Sequence, residues 1–166
     1  MISKIINIKK YKEAHYRLEM IGEKNYGNVD IKICNLELKK LNKLVKHILF
    51  KKNNAYVSAE TLWEIMNKNT GKGKHHFHQL SVDDVIKGLV FLKEPICIIE
   101  GERNRILIIS SFISSFNLPL LVVVEVNAGL IKNKNAYINK IITIFPKDDI
   151  DGFMAKYASN KMLYKK

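Results

Sequence analysis

Three histidines fall within four positions of the stretch "GKGKHHFHQLS", Gly71 to Ser81: His75, His76 and His78, with Lys72 and Lys74 beside them. Imidazole can ligate a metal or, with an unperturbed pKa of about 6.5, move protons near neutral pH. A metal centre needs further ligands at fixed geometry. HHFH lacks the i, i+4 pair of helical zinc motifs, and no CxxC or His-flanked cysteine stands elsewhere. Acid–base chemistry needs only one imidazole held in place. His78 is the candidate, because it lies just before a helix start at Ser81, with Phe77 and Leu80 as packing side chains around it. His75 and His76 read as solvated loop positions, and a wet basic loop is the plain alternative for all three.

A second set of chemically useful residues lies in "AYINKIITIF", read as a strand. Period-two alternation puts Tyr137, Asn139, Ile141, Thr143 and Phe145 on one face and Ile138, Lys140, Ile142 and Ile144 on the other. The aliphatic set predicts a core face, with Lys140 near its edge and its ammonium reaching water. The first set mixes rings with an amide and a hydroxyl, as a face does when it is open to ligand or to solvent. At roughly 3.3 Å per residue, Asn139 and Thr143 would stand about 13 Å apart, lining one cleft without sharing one atom.

The sequence has no Gly-rich phosphate loop, no GxSxG elbow and no Cys/His nucleophile pair. Cleavage of RNA by its own 2′-hydroxyl needs none of them. The substrate brings the nucleophile, and the protein supplies proton transfer and charge stabilisation. Histidine, threonine, asparagine and basic residues suffice, with no metal or other cofactor. Arg103, Arg105 and Lys140 are the candidate cations, although Arg103 and Arg105 also suit a solvated hairpin.

The elements that must position these residues change character along the chain. In "NLELKKLNKLVKHILFKK" the apolar residues recur at near-helical spacing, opposite lysines, and Asn35 suits the start. "SAETLWEIM" predicts a second, short helix after Ser58. "SVDD" predicts a third, with Ser81 as N-cap and Asp83 and Asp84 in the first turn, ended by Pro95. Asp84 is thereby explained structurally. "PICIIEGE" and "NRILIISSF" predict a hairpin around "ERN". "LPLLVVVEVN" predicts a central strand, "AGLIKNKN" a polar loop, and "AYINKIITIF" a last strand. A helix over roughly residues 148–164, acidic first and basic last, closes the chain. The expected fold is α+β: N-terminal helices packed on a four-stranded antiparallel sheet, with a C-terminal helix. Residues 1–70 form a basic helical region before a domain at 71–166, or the two are one continuous domain.

The 166 residues carry 28 Lys+Arg against 16 Asp+Glu, a net charge of +12. Up to His78 there are 16 basic and 7 acidic residues, so +9 of that charge falls in the first half. This points to a polyanionic partner, nucleic acid before membrane, with Lys/Ile/Asn-rich composition drift as the plain alternative. Cys34 and Cys97 sit among apolar neighbours and read as buried free thiols in a reducing compartment. "MISKIINIKK" breaks into charge too soon for a signal peptide, and the apolar runs are shorter than a membrane span. A soluble cytoplasmic protein with no membrane partner is expected.

The stretch from His78 to Phe145 resembles the phage-encoded barnase–EndoU–colicin–RelE-like nucleases, the BECR fold. "HQLSVDDVIKGLVFLKEPICII" carries a histidine before a helix and a proline leading into the first strand. "NKIITIFPK" is similar to the family's last-strand pattern, N-x-I-x-S-x-Y, with Thr143 in the serine position and Phe145 in the tyrosine position. The resemblance covers under half of the chain. It implies a toxin-like endoribonuclease of phage or mobile-element origin, acting on tRNA or mRNA, with a cognate inhibitor or antitoxin protein as partner. It implies His78 as the acid–base residue and Asn139 and Thr143 as polar groups at the phosphate. Phe145 departs from the pattern: a phenyl cannot donate to phosphate, though like Tyr137 it can contact a base. The other readings are a non-catalytic nucleic-acid-binding or regulatory module of the same fold, and an interaction protein.

Overall fold

Isoleucine, valine and leucine crowd residues 95–146, and there the chain runs as four hydrogen-bonded antiparallel strands, each joined to the next by a hairpin. These are β4 (Pro95–Glu100), β5 (Arg105–Ile113), β6 (Pro119–Leu130) and β7 (Asn133–Pro146). The turn between β4 and β5 has Arg103 and Asn104 at φ 55° and 60°, left-handed at both central positions as in a type I′ hairpin. The computed structural model describes residues 4–7, 29–33, 55–66, 78–130, 133–158 and 161–166. The other strands are β1 (Lys4–Asn7), β2 (Val29–Ile33), β3 (Ala55–Ser58) and β8 (Met162–Lys165), and the order across the sheet is β1-β2-β3-β7-β6-β5-β4-β8.

This corrects the expected fold class. The sheet is mixed, because β1 pairs with β2 and β3 with β7 in parallel, and among the described residues it has eight strands where four were expected. Strands stand in the N-terminal third, where the sequence led us to expect helices. "KIIN", "VDIKI" and "AYVS" are too short to establish an alternation, and their pairing is non-local, so nothing local in the sequence announces them. The helix expected over "NLELKKLNKLVKHILFKK" lies outside the described residues. Because β3 bonds to β7, one sheet contains residues from both sides of position 70.

Among the described residues there are three α-helices: α1 (Ala59–Met66), α2 (Val82–Val90) and α3 (Ile150–Tyr157). None is long and apolar enough to cross a membrane. Ser58 caps α1, accepting from the Thr61 amide at 3.1 Å. At the start of α2, Ser81 and Asp84 form a reciprocal capping box. The acidic start and basic end of "DDIDGFMAKYASNK" suited a helix to about residue 164, but α3 stops at Tyr157 and the chain returns as β8 along β4. "AGLIKNKN" is likewise largely strand, since β6 runs to Leu130 and β7 begins at Asn133.

The sheet is covered on both faces, where one was expected. On the first, Leu62, Trp63 and Ile65 of α1 and Val85, Ile86 and Leu89 of α2 pack on Ile98, Ile106, Ile108, Val122, Val124, Ile141 and Ile144. On the second, Ile150, Phe153, Met154 and Tyr157 of α3 pack on Cys97, Ile99, Ile109 and Leu121. Cys97 is a buried free thiol, and that burial pushes its pKa up, outweighing a backbone hydrogen bond from Ile109 and the charge of Lys165. Cys34 lies outside the described residues.

Candidate functional site

His78 is held from both sides in sequence. Its amide donates to the carbonyl of Ile65 at 3.0 Å, using an otherwise unpaired carbonyl at the end of α1. Gln79 turns the chain with φ 55°, a left-handed conformation that disfavours a side chain. Leu80 then inserts into the core beside α1 and α2, and Ser81 caps α2. Asp84, only 4% exposed, draws this start toward the β5–β6 loop. Its carboxylate accepts from the Ser115 amide and hydroxyl at 2.8 and 2.7 Å and from the Ser81 hydroxyl at 2.8 Å. Burial alone would raise the Asp84 pKa, but these hydrogen bonds from Ser115 and Ser81 hold it below the ordinary carboxylate value. The strained residue next to His78 is the sort of feature that gathers at functional sites.

Held this way, the His78 imidazole meets β7. Nε2 lies 3.5 Å from Thr143 Oγ1, at the outer limit of a hydrogen bond, with donor and acceptor set by the tautomer. The ring also tilts over Phe145, with centroids 5.2 Å apart and planes at 36°. Thr143 pairs with Val123 and Phe145 with Leu121, so both residues stand on the second face, where Phe145 packs against the apolar cluster that α3 covers.

Asn139 is elsewhere, which corrects the alternation read from the sequence. Val123 pairs with Thr143 but Val124 pairs with Ile141, so Ile142 is an extra residue at a β-bulge. A one-residue insertion exchanges the faces of everything beyond it. Ile141 and Ile144 both point into the helix-covered core, and Asn139, two residues from Ile141 and paired with Ala55, shares that face. It is 0% exposed, and its Oδ1 accepts from the Asn127 amide at 3.2 Å. Asn127 has φ 55° at a second register shift, so Asn139 satisfies the backbone of an irregular strand.

The same bulge turns Lys140 to the His78 face. Lys140 pairs with Glu125, and Glu125 with Arg105, giving a charged row across β7, β6 and β5 next to the row Thr143, Val123, Leu107. Arg105 Nη2 and Glu125 Oε2 are 4.0 Å apart and well exposed, a weak ion pair. Arg105 Nε is buried and makes no hydrogen bond among the described residues. Arg103 is exposed on the β4–β5 turn, two residues before Arg105. Tyr137 stands opposite Gly129 in β7, while its side chain, like His75 and His76, lies outside the described residues. The structure therefore brings His78, Thr143 and Phe145 into contact, sets Lys140 and Arg105 on the same face, and puts Asn139 behind the sheet. The sequence reading passed over Glu125, although a lone carboxylate in "LLVVVEV" was a signal to be found.

This arrangement can move a proton at an imidazole, offer a hydroxyl to an anion and seat a ring against His78, beside cations. Comparison of the chain with protein-family models, with curated proteins and with solved structures finds no match.

Proposed function

We propose that the protein is a metal-independent, toxin-like endoribonuclease. The observation that carries this reading is the His78–Thr143 pair, 3.5 Å apart beside Phe145 on a sheet face that also holds Lys140 and Arg105. In the step, the ribose 2′-oxygen attacks the adjacent phosphorus and the P–O5′ bond breaks, leaving a 2′,3′-cyclic phosphate and a 5′-hydroxyl. Neutral His78 takes the 2′ proton at Nε2 and its imidazolium returns a proton to the leaving oxygen, so the exchange is proton-neutral. Thr143 donates to a phosphoryl oxygen, and Lys140 lowers the cost of the developing charge. No metal is required, because the nucleophile belongs to the substrate. The likeness to BECR nucleases supports this reading through His78 and Thr143; Asn139 takes no part in it.

The test is incubation of purified protein with total RNA in EDTA, beside His78→Ala. Wild type should cut, and the variant should lose about 10²–10⁴-fold in rate. RNA left intact by wild type, or cut equally by the variant, refutes the mechanism. Asn139, facing away from His78, favours the second reading, a nucleic-acid-binding module without the chemistry. That reading expects salt-dependent binding indifferent to His78→Ala, and no rescue of bacterial growth by the substitution.

A further inference from the structure

The charged row beside the His78–Thr143 pair does not stop at β7. β3 runs parallel to β7 with Tyr56 opposite Lys140, and β2 runs antiparallel to β3 with Lys32 opposite Tyr56. In β3 the buried Ala55 and Val57 point into the helix-covered core, so Tyr56 between them stands on the other face, with Lys140. In register, four successive strands thus bring Tyr56, Lys140, Glu125 and Arg105 into one line, although they come from sequence positions 56 to 140. Tyr56, Glu125 and Arg105 are part-exposed and Lys140 is exposed.

We propose that this line is a binding track for single-stranded RNA, laid across the strands and passing the His78–Thr143 pair. At about 4.8 Å per strand, Tyr56 and Arg105 are roughly 14 Å apart, and about four nucleotides span that length at the ~3.4 Å rise of a stacked strand. A ring beside cations is what a single strand needs: Lys140 and Arg105 meet phosphates, and the Tyr56 ring stacks a base without regard to sequence. The loose 4.0 Å contact to Glu125 leaves the exposed end of the Arg105 guanidinium ready for a phosphate. Glu125 accepts from a base amino group, which an unpaired segment exposes. A duplex hides its base faces from Tyr56, so the track selects unpaired segments. The proposal rests on the ribonuclease reading for the role of the track but not for its existence.

Binding is therefore measured apart from cleavage, by fluorescence anisotropy with a labelled 8-nucleotide 2′-O-methyl RNA, which cannot be cut, and with the same strand in duplex. Wild type should prefer the single strand by at least tenfold. Tyr56→Ala should weaken it about tenfold and Tyr56→Phe hardly at all, the loss expected of one stacked base. Arg105→Gln with Lys140→Gln should lower the slope of log affinity against log salt by about 1.4, two phosphate contacts at ~0.7 each. Equal affinity for duplex, or an unchanged affinity in Tyr56→Ala and an unchanged slope in the double variant, overturns the track. If RNA is never cleaved and these binding results hold, the track stands and the catalytic reading falls.

Discussion

Asp84→Ala is the substitution whose cost can be worked out most fully. The carboxylate takes four hydrogen bonds, from the amides and hydroxyls of Ser115 and Ser81, at 2.7–3.3 Å. A hydrogen bond to a charged group contributes about 1.5–3 kcal/mol, but those in one network do not add, and the exposed serine hydroxyls can turn to water. With about 0.5 kcal/mol for a carboxylate in the first turn of α2, the expected loss is about 3 kcal/mol, roughly a hundredfold in the folding equilibrium. An asparagine side chain keeps the volume and one acceptor, so Asp84→Asn should cost about half as much. The folded pKa lies below the unfolded one. The stabilisation is therefore complete above the unfolded carboxylate pKa and is lost as pH falls through the folded value. Urea unfolding at pH 7 and pH 3 reads both effects. The gap between wild type and Asp84→Asn should be open at pH 7 and narrower at pH 3. A cost under about 0.5 kcal/mol for Asp84→Ala at pH 7, or an equal Asp84→Asn gap at both pH values, would refute the argument. Since Ser81 is three residues from His78, the ribonuclease proposal adds that Asp84→Ala lowers RNA cleavage at temperatures where the protein remains folded.

Three further outcomes follow from the fold and the ribonuclease proposal. Thr143→Val, close in shape but without the hydroxyl, should reduce single-turnover RNA cleavage about 10–100-fold with urea stability nearly unchanged. Asn139→Ala leaves the Asn127 amide without its partner and should cost about 1–3 kcal/mol in urea unfolding, while the cleavage rate per folded molecule holds. Gln79→Gly relieves the φ of 55° and should gain about 0.5–1 kcal/mol in thermal or urea unfolding. It should also loosen His78 and slow cleavage, so that stability and activity move in opposite directions.

Whatever depends on neighbours three or four residues apart was legible in the sequence. "SVDD" encodes the cap of α2 because the Ser81 and Asp84 contacts are local, and their geometry follows once a helix begins there. "ERN" between two apolar runs encodes the β4–β5 turn, and "LPLLVVVEV" a strand buried on both sides, for the same reason. The placement of His78 was legible in part, since its position before that cap limits where it can go. Its partner was proposed from an alternation that holds between Thr143 and Phe145.

Only the tertiary structure decided the rest. A bulge at Ile142 arises from the register between β6 and β7, and no property of "NKIITIF" marks it; yet that one residue moves Asn139 behind the sheet and brings Lys140 forward. Tyr56 joins Lys140 through parallel pairing between strands more than eighty residues apart, and β8 exists because β4 presents an edge to pair with. Such contacts are stabilised by burial summed over many strands rather than by any segment's own preference. The sequence by itself therefore determined the helix cap that follows His78. The faces and strand order that decide which residues His78 meets were set by packing across the whole sheet.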